Sequence, residues 1–158
     1  MAPFVGHRTK VKRSWVDHNG HMGIRSYTPV FDKGVIAFYR HIGLTRANLL
    51  DRGTTIFALQ ECHWYRREVM LDDPLDVTIQ MLDLDHNKLV TFATIRQTRD
   101  DYDAAMTELI EIHIDLATRR AAPFAADVRA RLDEVMAEHA GLPRPAMAGQ
   151  GVGIRRST

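Results

Sequence analysis

Asp17, Asn19 and His21 stand at alternate positions in the stretch WVDHNGHM, residues 15–22, with Gly20 between the last two. A carboxylate, an amide and an imidazole at that spacing suit more than one chemistry. Asp17 follows the apolar pair Trp15–Val16, and a helix-like pattern begins within ten residues. The free N–H groups and positive dipole end of a helix N-terminus favour anions. A carboxylate held there in a partly dry site can attack a carbonyl or act as base toward water. The same N–H groups can hold the oxyanion that forms, while Asn19 and His21 orient the carboxylate or the water. The plainer reading is a turn, because Asp and Asn both make local turn hydrogen bonds. Metal binding is the third reading. His18 and His21 are three apart, but no Cys or second acidic cluster flanks them at zinc-ligand spacing, so no metal is expected.

The elements that must position this loop can be read from hydrophobic spacing. Residues 8–16 (RTKVKRSWV) alternate weakly and read as a first strand. Tyr27, Val30, Phe31, Val35, Phe38, Tyr39 and Ile42 then recur at spacings of three or four, which is one face of a helix. Ser26 suits its N-cap and Gly43 its end, and such a helix is about 24 Å long. Its wide apolar face and small Gly34 place it against a sheet. Four strand-like runs follow, at 54–68, 75–84, 89–98 and 104–117. In the last, Met106, Ile110, Ile112 and Ile114 share one face and Leu109, Glu111, His113 and Asp115 the other, the pattern of a half-buried strand. Residues 125–139 read as a short polar helix. The tail 141–158 is rich in Gly, Pro and Arg and is expected to be mobile. The expectation is an α+β domain over residues 1–140. One long central helix is wrapped by a five-stranded antiparallel sheet, with the last four strands in a meander and a short C-terminal helix.

Composition narrows the function. The 158 residues suit one domain. Lys and Arg number 21 against 20 Asp and Glu, a net charge of +1, which argues against nucleic-acid binding through bulk charge. Cys62 is the sole cysteine, so an intrachain disulfide is impossible and a reducing, cytoplasmic setting is expected. No run approaches the length of a membrane span or a signal peptide. Nothing suggests an activated thiol at Cys62.

The loop and a later segment together carry a resemblance. The D-x-N-G-H-M pattern at residues 17–22, between a first strand and a long helix, resembles hot-dog-fold thioesterases of the 4-hydroxybenzoyl-CoA and acyl-ACP thioesterase-like groups. The YRRE segment, Tyr65 to Glu68, matches a strand segment of the acyl-ACP thioesterases. VDHNGHM, YRREVMLDDPLDV and HIDLATRRAAPF together resemble bacterial thioesterases of carnitine and betaine catabolism. The resemblance implies that Asp17 is the catalytic carboxylate, that Asn19 and His21 support it, and that the backbone N–H of Ile24 polarises the thioester carbonyl. Glu68 takes the place of the strand-borne carboxylate. It implies an acyl-CoA substrate, no cofactor, and a homodimer or a tetramer built from dimers. One departure stands out: relatives often read Asn-Asn where this chain has Gly23-Ile24.

Other residues join the candidate site on weaker grounds. Gly20 and Met22 flank the loop. Glu61 and His63 share one face of their strand with Tyr65, while Cys62 and Trp64 share the other. By the same alternation Glu68 falls on the Cys62 face, so Glu61 and Glu68 both point inward only if a bulge intervenes. Arg66, Arg67, Lys88 and Arg96 are candidates for the phosphates of CoA. Trp64, Tyr65 and Phe38 suit a quaternary ammonium such as a betainyl group, or equally a core. Short, aromatic and medium-chain acyl groups stay open. Two other functions stay open as well. An (R)-specific enoyl-CoA hydratase would carry D-x-N-P-x-H, where this chain has Gly20 and a His21 only four residues after Asp17. A non-catalytic acyl-CoA-binding subunit is suggested by the Gly23-Ile24 departure.

Overall fold

Two glycines seat the long helix on the sheet. The computed structural model describes residues 2–151. Its elements are β1 (Phe4–Lys10), α1 (Tyr27–His41), α2 (Arg46–Asp51), β2 (Thr54–Tyr65), β3 (Pro74–Leu84), β4 (Lys88–Gln97), β5 (Tyr102–Asp115), β6 (Arg120–Ala121) and α3 (Ala126–Ala140). A side chain at Gly6 of β1 would come within 2.5 Å of the Gly34 carbonyl oxygen, and one at Gly34 within 2.5 Å of Val77 Cγ1. Backbone therefore meets backbone, and α1 packs through Val30, Phe31, Val35 and Phe38 against Leu75, Val77, Ile79 and Met81 of β3. This is the hot-dog fold: a curled antiparallel sheet around one long helix, with a second helix at the C-terminal end.

The strand order is β1-β3-β4-β5-β2, with β6 beside β5. Only β3, β4 and β5 form a meander, which corrects the expected meander of four. β1 already pairs with one edge of β3 and β4 with the other, so β2 joins the free edge of β5 instead. The first strand also lies earlier than its weak alternation suggested. The chain leaves the sheet at Val11, whose N–H donates to the Asp73 carbonyl oxygen at 3.0 Å, and Arg13–Trp15 form a 3-10 turn. Ser26 holds the N-cap position of α1, as expected, but its side chain makes no cap hydrogen bond. A second 3-10 turn, Ile24–Ser26, carries the helical stretch back to Ile24, with Gly23 flanking it. Gly43 ends the helix as expected, at φ +80°, with the Leu44 N–H returning to the Tyr39 carbonyl oxygen at 2.8 Å.

β5 is buried on both faces rather than one. Leu109 and Glu111 face the helix side, while Glu108, Ile110 and Ile114 are buried on the outer side. The cover on that outer side includes residues 141–151, the described part of the tail expected to be mobile. Gln80 donates to the Pro143 carbonyl oxygen at 3.4 Å, and the Gly149 N–H lies 3.0 and 2.9 Å from the two Glu108 carboxylate oxygens. Residues 152–158 lie outside those described. α3 docks on β3 through His139, whose Nδ1 accepts the Met81 N–H at 2.9 Å. Burial lowers the pKa of this imidazole, in keeping with a neutral acceptor.

Candidate active site

The loop that carries Asp17 is a closed turn. Val16 and Met22 bridge antiparallel across its base. The Asp17 N–H donates to the His21 carbonyl oxygen at 3.0 Å, and the Gly20 N–H to the Asp17 carbonyl oxygen at 3.1 Å. Gly20 sits at φ +83°, a left-handed conformation that glycine alone adopts without strain. A proline, fixed near φ −65°, cannot stand there, so the hydratase version of the loop does not fit this turn. Met22 anchors the loop in the core, and its N–H reaches the Val69 carbonyl oxygen at 3.0 Å, which ties the loop to the segment after β2.

This turn holds the Asp17 carboxylate against the start of the helical stretch. Oδ1 accepts the Asn19 N–H at 2.8 Å, and Oδ2 lies 3.5 Å from the Asn19 side-chain amide. The turn reading and the carboxylate-orienting reading are therefore the same set of bonds. A side chain at Gly23 would come within 3.0 Å of Asp17 Oδ2, so Gly23 makes the room the carboxylate occupies. The Gly23 N–H is used on the Trp15 carbonyl oxygen at 2.8 Å, whereas the Ile24 N–H donates to none of the described residues. The Ile24 side chain is exposed, so this residue offers its backbone donor whatever its side chain. The Gly23-Ile24 departure thus leaves this backbone donor in place.

His21 and Glu68 complete the near side. His21 Nδ1 lies 3.2 Å from the Met22 carbonyl oxygen, and Nε2 lies 3.6 Å from a Glu68 carboxylate oxygen. β2 stops at Tyr65, and the N–H groups of Arg66 and Arg67 then both reach the Ala104 carbonyl oxygen, at 2.9 and 3.1 Å. Two donors on one acceptor break the strand alternation, as a bulge would, so both acidic residues reach the helix side. Glu61 pairs with His63 at 3.3 Å, and His63 packs on Phe31 of α1. Glu68 meets His21 instead.

The cleft beside this loop, about 340 Å³, is lined by His21, Met22, Ile24, Tyr27, Tyr65, Arg66, Arg67 and Glu68; Asp17 adjoins it through Gly23 and is not itself among its walls. Two residues here, Tyr27 in the cleft and Tyr102 behind it, carry no sequence signal beyond core or turn composition. Tyr27 packs edge-on against Tyr65. Burial first, then the neighbouring Tyr102, Tyr65, Glu68 and Asp17, push its hydroxyl up to about 12, so it stays a hydrogen donor. Tyr102, just behind, donates its hydroxyl to the Glu68 carbonyl oxygen at 2.7 Å and carries the Arg67 guanidinium 3.9 Å over its ring.

Several candidates lie elsewhere. Lys88 is ion-paired to Asp85 at 3.6 Å in the β3–β4 turn. It pairs along β5 with Ile112, eight positions from Ala104 and so about 26 Å from the Arg66–Arg67 end of the sheet. It cannot share a phosphate with those arginines. Arg96 is held by Asp101 and Asp103 at 2.6 and 2.8 Å. It lines an outer-face groove together with Arg66 and Arg67, outside the Asp17 cleft. Trp64 stacks on Phe92, Phe38 is core, and only Tyr65 of the three proposed aromatic residues reaches the cleft, so they form no cage. Cys62 lies on the outer face beside Glu108. Among the described residues no group of three or more His, Cys, Asp or Glu side chains is placed to hold a metal ion, and no helix is long and apolar enough to cross a membrane.

The sequence model of the thioesterase-like superfamily matches residues 11–132. The chain belongs to that family. Its membership makes the protein a thioester hydrolase, and the matched span holds the loop, the helix and every strand except β1. The chain is similar to a betainyl-CoA thioesterase of Pseudomonas aeruginosa, at 32% identity over 94% of this chain and 93% of the relative. It is also similar, at 30% identity over 94% of its own length, to a Rhizobium meliloti L-carnitine dehydrogenase/betainyl-CoA thioesterase, of which it spans 30%. Among solved structures it superposes on a Staphylococcus aureus protein in complex with CoA, with a TM-score of 0.87, 26% identity and 98% of each chain covered.

Proposed function

We propose that this thioesterase-superfamily protein hydrolyses an acyl-CoA with a small cationic acyl group of the betainyl type, using Asp17 as its reactive carboxylate. The observation that carries the reading is the Asp17 carboxylate seated beside Gly23, one residue before an uncommitted Ile24 N–H at the start of the helical stretch. A thioester carbonyl placed between them has its oxygen on that N–H and its carbon facing the carboxylate. Asp17 then attacks the carbon directly, or takes a proton from a water that does. The tetrahedral oxyanion gains stability from the Ile24 donor and the helix start. The C–S bond breaks and CoA leaves as its thiolate, a good leaving group that needs no strong acid; where Asp17 itself attacks, water then cleaves the acyl–Asp17 anhydride, releasing the acid and returning the carboxylate. Asn19 orients the carboxylate. His21, fixed between Met22 and Glu68, governs the water or product carboxylate, and Arg66 and Arg67 at the cleft mouth receive phosphate charge. Similarity to a betainyl-CoA thioesterase and to a CoA-bound structure supports the substrate class.

The free edge of β2 supports a homodimer. Among the described residues its backbone donors and acceptors on that side have no strand partner, and Phe57 and Leu59 are exposed along it. A long open edge of this kind pairs with another strand, and a second copy of β2 is the occupant proposed, within a cytoplasmic enzyme. A panel of betainyl-, acetyl-, benzoyl- and octanoyl-CoA, read by thiol release, tests the function. Fastest turnover is expected on betainyl-CoA; release from none of the four defeats the reading. Single turnover in ¹⁸O-water, with enzyme in excess, separates the two roles of Asp17. An anhydride opened by water at its Asp17 carbonyl leaves the label on Asp17 and none in the product acid, whereas general-base attack by water puts the label in the product acid.

A further inference from the structure

A cavity of about 660 Å³ lies between the C-terminal half of α1, α2 and the start of β2, apart from the Asp17 cleft. Its walls are largely apolar, with Ile36, Leu49, Leu50 and Ile56 among them, and Glu111 of β5 also lines it. This carboxylate is only 7% exposed, and its Oε2 has no hydrogen-bond partner. The hydroxyl of Tyr39, which lines the same cavity, is likewise buried and without a partner. Glu111 and Tyr39, from different elements, thus line one largely apolar space, and each carries a buried polar atom with nothing to bond.

The electrostatics select what would satisfy them. Burial, and then the charge of Asp32 on α1, push the Glu111 carboxyl up to about 8. Arg40 and Arg46 line the cavity too, yet neither forms an ion pair with Glu111. A buried acid with an open acceptor gains most from a partner that brings positive charge. A metal ion would need several oxygen ligands, whereas the walls carry one carboxylate, Glu111. A compact organic cation clad in methyl groups suits them, because apolar and aromatic surface meets the methyls while the acid meets the charge.

We propose that this cavity receives the cationic end of the acyl group, with Glu111 as its counter-charge and Tyr39 as an aromatic wall; the assignment rests on the acyl-CoA reading above. Glu111 does not serve the Asp17 of its own chain. Ala105 pairs with Tyr65 at the cleft, and Glu111 lies six positions further along β5, about 20 Å away. Two copies joined along β2 close that gap. Pairing about the midpoint of Thr54–Tyr65 sets the first residues of one β2 opposite the last residues of the other. Thr54, Thr55 and Ile56 line this cavity, so the cavity of one copy comes beside the Asp17 cleft of the second.

Betainyl-CoA and its uncharged carbon isostere, 3,3-dimethylbutanoyl-CoA, separate charge from shape. The wild type is expected to prefer the betainyl ester, and Glu111→Gln to lose that preference by at least about tenfold in kcat/KM, through KM, with the isostere turned over as before. Equal loss on both esters, an unchanged preference, or a wild type that prefers the isostere overturns the assignment while leaving the thioesterase reading intact. If no ester is cleaved, that reading fails, and tetramethylammonium chloride titrated by NMR judges the cavity alone. Saturable shifts at Tyr39 and Ile56 in the wild type, absent from Glu111→Gln, support it; shifts in neither or in both overturn it. The arrangement between chains has its own readout: mixed Asp17→Asn and Glu111→Gln subunits should recover the wild-type preference for betainyl-CoA, which Glu111→Gln alone loses and Asp17→Asn alone is too slow to express. No recovery on mixing, with heterodimers demonstrated, overturns the shared site.

Discussion

Asp17 and Glu111 are both carboxylates near opposite ends of β2, and their surroundings differ in every respect that matters to an acid. Asp17 is exposed and fixed by two hydrogen bonds from Asn19, one from the backbone and one from the side chain. Glu111 is buried against apolar walls, with one oxygen unbonded and another acid, Asp32, for a neighbour. The first environment keeps a carboxylate oriented and within reach of solvent, as an attacking group or base requires. The second withholds every local partner and so leaves the acid to whatever enters the cavity. Position and hydration, rather than residue type, divide the two roles.

The contrast can be broken at either end. Replacing Asp17 by Asn should have the largest effect, lowering kcat by about 10²–10⁴ on every acyl-CoA with the melting temperature unchanged. A loss confined to one ester would make Asp17 a specificity residue and collapse the distinction. At the other end, Glu111→Gln should stabilise the protein at alkaline pH. The folded pKa of about 8 stands above the ordinary 4.5. Between those values the unfolded chain releases a proton that the folded chain keeps, so wild-type stability falls across the window and levels off above it. Asp32, Tyr39 and Arg40 of α1, Arg46 of α2 and His113 further along β5 surround the group and are common to both proteins. The variant should therefore melt at least about 2 °C higher than the wild type at pH 9 and nearly together with it at pH 4. The smallest effect belongs to Asn19→Ala, which removes the 3.5 Å side-chain contact but keeps the 2.8 Å backbone bond. A kcat loss of less than about tenfold is expected, and a loss equal to that of Asp17→Asn would show that the side chain, not the turn, orients the acid.

The sequence carried the Asp17 end more fully than the Glu111 end, for reasons visible in the residues. A local loop can be read locally. Asp17, Asn19, Gly20 and His21 are neighbours in the chain, and the turn that unites them uses their own backbone groups. The helix from Tyr27 and the strands near 54–65, 75–84 and 89–97 follow from periodicity. What escaped depends on pairing between distant segments. Nothing in the spacing of β2 shows that it passes β3 and joins β5, because that choice is made by β1 taking the β3 edge. Glu61 and Glu68 could not be sorted without the Arg66–Arg67 break, which forms on a carbonyl from Ala104. Glu111 read as one residue of an alternating strand, since its cavity is enclosed by α2, a six-residue helix too short for its pattern to register. Lys88 shared a charge with Arg66 and Arg67 but not a location, and Arg96 meets them only in the outer-face groove.

The contact between Gly6 and Gly34 has a consequence for how such a protein can diversify. Side chains yield when a helix slides; two backbones in van der Waals contact do not. The seating of α1 is thus decoupled from whatever its two ends carry. Ile24 at one end keeps its register relative to Asp17 even when Ile36, Tyr39 or Leu50 near the other end is exchanged. A lineage, or an engineer, can enlarge or recharge the cavity proposed for the acyl group one residue at a time while the Asp17 loop and the Ile24 N–H stay in alignment.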